Sequence, residues 1–129
     1  MLNDAKVFSS FSVDDLGAAQ TFYGETLGLD VEERPEGLAL HLAGGTDVFI
    51  YHSENYVAPK HTVLNFLVPD VDAAVDQLAQ RGVQVEHYDL PDIKTDDHGV
   101  FRSDSGEGPK AIAWFKDPAD HVLSVLQSS

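Results

Sequence analysis

Along the chain, short runs that alternate apolar and polar residues are separated by two stretches whose apolar residues recur at helical spacing, and this whole order occurs twice. Residues 7–13 read as a strand, and Asp14 and Asp15 then supply the N-cap region of a helix. Leu16, Ala19, Tyr23 and Leu27 form one stripe of that helix, which Gly28 ends. Residues 29–33, 38–42 and 48–52 predict three more strands, the last two joined by a hairpin-type turn at 43–47. A linker at 53–60 leads to a strand at 63–68 and a helix capped by Asp70. That helix has Val71, Ala74, Val75 and Leu78 on one stripe and Gly82 at its end. Strands are then expected at 83–88, 99–102, 111–115 and 121–126. The stretch 89–110 is polar, and Asp117, Pro118, Ala119 and Asp120 turn the chain into the last strand.

The repetition reaches individual residues. Val13 matches Val68, Asp15 matches Asp70, and Ala18 and Ala19 match Ala73 and Ala74. After a slip of one residue, Gly28 and Leu29 match Gly82 and Val83, while Val31 and Glu32 match Val85 and Glu86. A repeat of this length implies two copies of one supersecondary unit. The expected organisation is a single domain over 1–129, built from a first unit at 1–58 and a second at 59–129. Two such units can share a cleft, where small ligands commonly bind.

Composition narrows the classes. With 129 residues and a hydrophobic fraction of 43%, the chain can bury one ordinary core. Eight Lys and Arg against 22 Asp and Glu give a net charge of −14, which repels phosphate backbones and argues against nucleic acid. No apolar run has the length of a membrane span, and the first residues do not read as a secretory signal. The chain has no cysteine, so disulfides, thiolate nucleophiles and Cys-ligated metals are excluded, and a cytoplasmic location is expected. The acidity reads first as a solubility device and second as an attraction for a cationic small molecule.

One family matches this order of elements. Val13, Asp14, Asp15 and Leu16 leading into Phe22 and Tyr23, then Leu27, Gly28 and Leu29, carry the resemblance in the first copy. In the second copy it rests on Val68, Pro69, Asp70, Val71, Asp72, Ala73 and Ala74, on Gly82 and Val83, and on Asp117 and Pro118 before the last strand. The chain resembles the vicinal oxygen chelate superfamily, which includes glyoxalase I, extradiol dioxygenases, fosfomycin-resistance proteins and bleomycin-binding proteins. The resemblance implies an α+β fold of two tandem βαβββ units with curved mixed sheets around a cleft. It also implies a homodimer, and relatives close the cleft either within one chain or across two.

Metal-dependent relatives carry one ligand on the first and one on the last strand of each unit, usually His or Glu. By the resemblance these positions fall on Phe8, Tyr51, Val63 and Ser124, residue types that do not form such a site. The expectation is therefore no metal and no cofactor, and no mechanism that uses a Lewis acid to chelate adjacent substrate oxygens.

If Phe8 and Val63 face the cleft, alternation places Ser10, Ser12, Asn65 and Leu67 there too, with Phe49, Tyr51, Val122, Ser124 and Leu126. The ligand-contacting candidates are Phe8, Ser10, Phe49, Tyr51, Asn65, Trp114 and Ser124. Ser10 and Asn65 could equally satisfy buried polar partners, and Trp114 could be core. Tyr51 as proton donor and His41 as general base are the catalytic candidates, although no acid partner for His41 stands at a helpful spacing. Asp92, Asp96, Asp97 and His98 share a polar loop without calcium-loop spacing, Arg102 reads as an exposed strand-edge cation, and Gly106 and Gly108 fit no phosphate loop. The 89–110 stretch could act as a lid. The leading reading is a metal-free protein that binds a small organic molecule, in a sequestering or resistance role. The alternative is a metal-free lyase or isomerase of glyoxalase-like ancestry, and a third is an interaction protein whose cleft has filled with side chains.

Overall fold

A computed structural model describes residues 1–103 and 108–128. Gly106 and part of the 89–110 stretch therefore lie outside the described residues. The chain divides into two compact units, Met1–Val57 and Ala58–Ser129. Each contains a four-stranded mixed sheet, so the fold is α+β.

The first unit comprises β1 (Ser9–Val13), α1 (Leu16–Gln20), β2 (Asp30–Arg34), β3 (Gly37–His41) and β4 (Asp47–His52). Its strand order is β1-β4-β3-β2, with β1 parallel to β4 and the other pairs antiparallel. Val7 and Phe8, expected in β1, precede it, because Ser9 pairs with Val48 and β4 starts only one residue earlier at Asp47. One face of the sheet is apolar: Val13, Leu38, Leu40, Val48 and Ile50 are buried along with Ala19, Phe22 and Tyr23 from the helical segment. Burying each large side chain of this kind contributes about 1.5–3 kcal/mol, which holds the helix on that face.

Asp15 caps α1, its side chain accepting from the Ala18 amide at 3.0 Å. The predicted helix through Leu27 is α-helical only to Gln20, after which Thr21–Thr26 forms a π-helical turn. There the Leu27 amide donates to the Phe22 carbonyl, five residues back, at 2.8 Å. The widened turn brings two adjacent rings to the core, Phe22 and Tyr23, which meet edge to face at 5.1 Å. The one-residue slip in the repeat falls here, since Asp15 to Gly28 is one residue longer than Asp70 to Gly82. A π turn is how a helix absorbs one extra residue without turning its later side chains off the core.

The second unit comprises β5 (Thr62–Leu67), α2 (Val71–Gln80), β6 (Phe101–Arg102), β7 (Ala111–Lys116) and β8 (Val122–Gln127), in the order β5-β8-β7-β6. β5 is parallel to β8, and the remaining pairs are antiparallel. Asp70 caps α2 on the Ala73 amide at 3.2 Å. Val71, Val75 and Leu78 are buried where α2 packs on β7 and β8, beside Ala113, Phe115, Leu123 and Val125.

Residues 83–88 do not form the expected strand. Val83 and Val85 do turn inward, but the segment makes one ladder-type bond, from the Glu86 amide to the Trp114 carbonyl at 2.7 Å. The same edge of β7 is already taken at Ala111 and Ile112 by β6, and Tyr88 is drawn into a loop by Thr95. β5 carries a second irregularity, a bulge between Thr62 and Leu64, so period-two alternation does not fix where Val63 points.

Candidate ligand pocket

The exposed face of the first sheet is assembled by register. Ser10 and Ala39 both pair with Phe49, Glu32 pairs with Ala39, Ser12 with Tyr51, and His41 with both Asp30 and Asp47. Cross-strand partners share a face, so this side carries aromatic, small and charged residues while the other carries the core. Phe49 and Tyr51, two residues apart on β4, lie nearly parallel with ring centres 6.4 Å apart. A pocket of about 350 Å³ opens on this unit, lined by Phe8, Ala39, Val48 and Phe49 with the charged Arg34, Glu36 and Asp47. An apolar wall with a few charged groups is the usual make-up of a small-molecule site.

The predicted residues fall into two groups. Phe8 and Phe49 line this pocket, Ser10 pairs with Phe49, and the half-exposed Tyr51 stacks on it. Asn65, Ser124 and Trp114 belong to the second unit, where register sets them side by side on β5, β8 and β7. Ser124 is fully buried and its hydroxyl donates to Asn65 Oδ1 at 2.6 Å. Trp114 meets Tyr88 edge to face at 5.5 Å and Phe101 at 6.4 Å. Sequence patterning does not single out Arg34 or Glu36, and it places Asp47 only at the end of the 43–47 turn. Alternation along β2 could have put Arg34 on the face of Glu32, but the loop at Glu36 carries no such signal.

His41 does have acid partners. Its Nε2 lies 2.9 Å from Glu32 Oε1 and its Nδ1 3.1 Å from Asp47 Oδ1. Arg34 Nε donates to the other Glu32 oxygen at 3.1 Å. Ionised carboxylates only accept, so this geometry calls for the doubly protonated imidazolium. The hydrogen bonds that His41 donates to Glu32 and then to Asp47 raise its pKa above the ordinary 6.5. Those from Arg34 and His41 lower that of Glu32 below 4.5. A histidine with both nitrogens engaged in this way is a clamp across three strands and not a free general base.

This clamp gives stability a sign with pH. A raised folded-state pKa contributes stability that is complete below about 6.5 and is lost as pH rises through the higher folded-state value. The stability advantage of the wild type over His41→Gln should thus shrink from about pH 6 to about pH 9, as measured by urea denaturation. A constant difference across that range would contradict the clamp.

The residues at the family's metal positions do not fit a divalent cation. Phe8 and Val63 offer no donor atom, Tyr51 offers a neutral phenol, and the Ser124 hydroxyl is committed to Asn65. Among the described residues, no group of three or more His, Cys, Asp or Glu is placed to hold a metal ion. In the polar loop, Asp96 and His98 are tied to Asp72, Asp76 and Arg102 by ion pairs. No helix among the described residues is long and apolar enough to cross a membrane.

Solved structures share this fold. A glyoxalase family protein from Enterococcus faecalis aligns with TM-score 0.68 at 21% identity, covering 98% of this chain and 99% of its own. An antibiotic-binding protein from a Streptomyces species aligns with TM-score 0.61 at 24% identity over 98% of each chain. A genomically encoded fosfomycin resistance protein from Listeria monocytogenes aligns with TM-score 0.69 at 14% identity, covering 98% of this chain and 94% of its own. No curated protein matches the sequence. The family model of the Glyoxalase/Bleomycin resistance protein/Dioxygenase superfamily matches residues 8–125, nearly the whole chain, and the protein belongs to that superfamily.

Proposed function

We propose that this protein is a metal-free member of its superfamily that binds a small organic molecule against Phe8 and Phe49. The observation that carries the reading is the pocket of about 350 Å³ in the first unit, in which Phe8, at a family metal position, is part of the wall. A residue that cannot coordinate a metal there adds apolar surface for a ligand instead. One fold neighbour is described as an antibiotic-binding protein and another as a fosfomycin resistance protein, which favours a sequestering or resistance role. The engaged nitrogens of His41 weigh against the alternative of a metal-free enzyme using that residue as base. In this reading the two units work as one domain, Ser10 and Tyr51 contribute to the ligand site, and the protein acts in the cytoplasm as a homodimer. Asn65, Trp114 and Ser124 form a polar and aromatic row within the second unit.

The test is elemental analysis of protein purified without chelators, followed by a thermal-shift screen of planar aromatic compounds. The expected result is no stoichiometric metal and hits that raise the melting temperature, since a ligand at 100 times its Kd adds about 2.7 kcal/mol. Phe49→Ala should weaken each hit about tenfold or more through lost aromatic contact. Stoichiometric metal, or hits indifferent to Phe49→Ala, would overturn the reading.

A further inference from the structure

On the second unit, a segment of the polar loop is fastened to α2 at two points of different chemistry. His98 Nδ1 lies 2.7 Å from Asp72 Oδ1 and His98 Nε2 lies 2.8 Å from Asp76 Oδ1. Asp72 and Asp76 stand one turn apart on α2, so both carboxylates project to the same side. Arg102 of β6 makes the other attachment, with Nη2 donating to Asp72 Oδ1 at 2.7 Å and Nε to Asp96 Oδ2 at 3.0 Å. Asp96 Oδ1 also accepts from the backbone amides of His98 and Val100, at 3.0 and 2.9 Å. The charged groups facing the ring are thus Asp72 and Asp76 from α2, with Asp96 of its own segment and Arg102 of β6 one hydrogen bond further out.

These two attachments respond differently to pH. Arginine stays charged throughout the accessible range, so the Arg102 bridge persists. Two ionised carboxylates can be served at once only by an imidazole that donates from both nitrogens, which is the imidazolium. A neutral ring would direct a lone pair at one carboxylate. The bonds to Asp72 and then Asp76 also hold the His98 pKa above its ordinary value, so the change of state falls on the alkaline side of 6.5.

The chain on either side of His98 differs as well. Gly99 and Val100 are buried, and so anchor the segment on the C-terminal side. On the N-terminal side, residues 88–95 form a small exposed hairpin closed on itself by Tyr88–Thr95 and Leu90–Ile93 backbone bonds. We propose that His98 is a pH-operated latch: as the imidazolium it holds the base of the 88–95 hairpin against α2 through Asp72 and Asp76, and on losing its proton it lets the hairpin swing about the Arg102–Asp96 bridge. The fold stays intact in both states, because the core strands and the Arg102 attachment do not depend on that proton.

Hydrogen–deuterium exchange on the full chain tests this, at about pH 6 and about pH 9 after correction for intrinsic exchange. In the wild type, the amides of Tyr88, Leu90 and Thr95, which close the hairpin, should lose about threefold or more of their protection at the higher pH, while amides of β4, β7 and β8 keep theirs. His98→Gln should show the low protection at both pH values, and the one-third exposure of the His98 side chain allows that variant to fold. Wild-type protection that is flat with pH would overturn the proposal. So would a wild-type pH dependence that survives in His98→Gln, or a loss shared by β7 and β8, which would indicate unfolding of the whole unit.

Discussion

Asp117→Ala is expected to destabilise the protein by about 3–5 kcal/mol, because it leaves several buried hydrogen-bond donors without their acceptor. Asp117 sits in the turn between β7 and β8, strands that pair along their whole length in the second sheet. Its Oδ1 accepts from the backbone amides of Ala119 and His121 at 3.0 and 2.8 Å, and its Oδ2 accepts from His121 Nδ1 at 2.8 Å. The side chains of Asp117 and His121 are 1% and 0% exposed, so water does not replace a lost acceptor. Alanine removes the acceptor of three donors at once, two of which set the turn. The same turn holds Asp120 at a φ of 64°, in the left-handed region that few non-glycine residues enter and aspartate enters more readily than most. Urea denaturation of wild type and variant measures the effect. A loss below about 1 kcal/mol would mean that the carboxylate does not organise the turn.

Gly37→Ala should cost about 3 kcal/mol and remove ligand binding with it. Gly37 opens β3 beside β4, and a Cβ there would collide with the carbonyl oxygen of Ile50 and press on the Phe49 ring, 3.1 Å from Cζ. A flexible side chain could move aside, whereas a backbone carbonyl within a paired strand cannot move alone. Relief therefore requires β3 and β4 to separate near the Leu38–Ile50 pair, which carries Phe49 out of the pocket wall. The unfolding midpoint and a thermal shift with any pocket ligand test both halves. A variant of wild-type stability would show that the strands tolerate the extra methyl group.

Much of this architecture is legible in the amino-acid sequence. The capping aspartates Asp15 and Asp70, the helix stripes and the echoed residues pointed to both helices and to the α+β fold, because capping and periodicity are local chemistry. Alternation correctly set Phe49 and Tyr51 on one face of β4 and Ile50 on the other. What stayed hidden depends on pairing between distant residues. His41 lacked an acid partner only when neighbours in sequence were considered, since Glu32 and Asp47 reach it across strands. His98 and Asp96 looked like a loose acidic loop until α2 supplied Asp72 and Asp76 and β6 supplied Arg102. The 83–88 segment has the composition of a strand, but competition for one edge of β7 is a property of the sheet and not of the segment.

The π turn at Thr21–Thr26 bears on the history of the two halves. If they descend from one ancestral unit, they have since come to differ in length by a residue between cap and terminal glycine, and the difference lies in a helix. A single residue added to a paired strand inverts the facing of every side chain beyond it unless a bulge takes it up. A helix can take up the same residue in one widened turn, leaving Ala19 and Tyr23 in the core and delivering the chain to β2 in register. Length drift between the copies is therefore expected to collect in helices, loops and bulges, and the paired strands that carry the pocket are expected to keep their spacing.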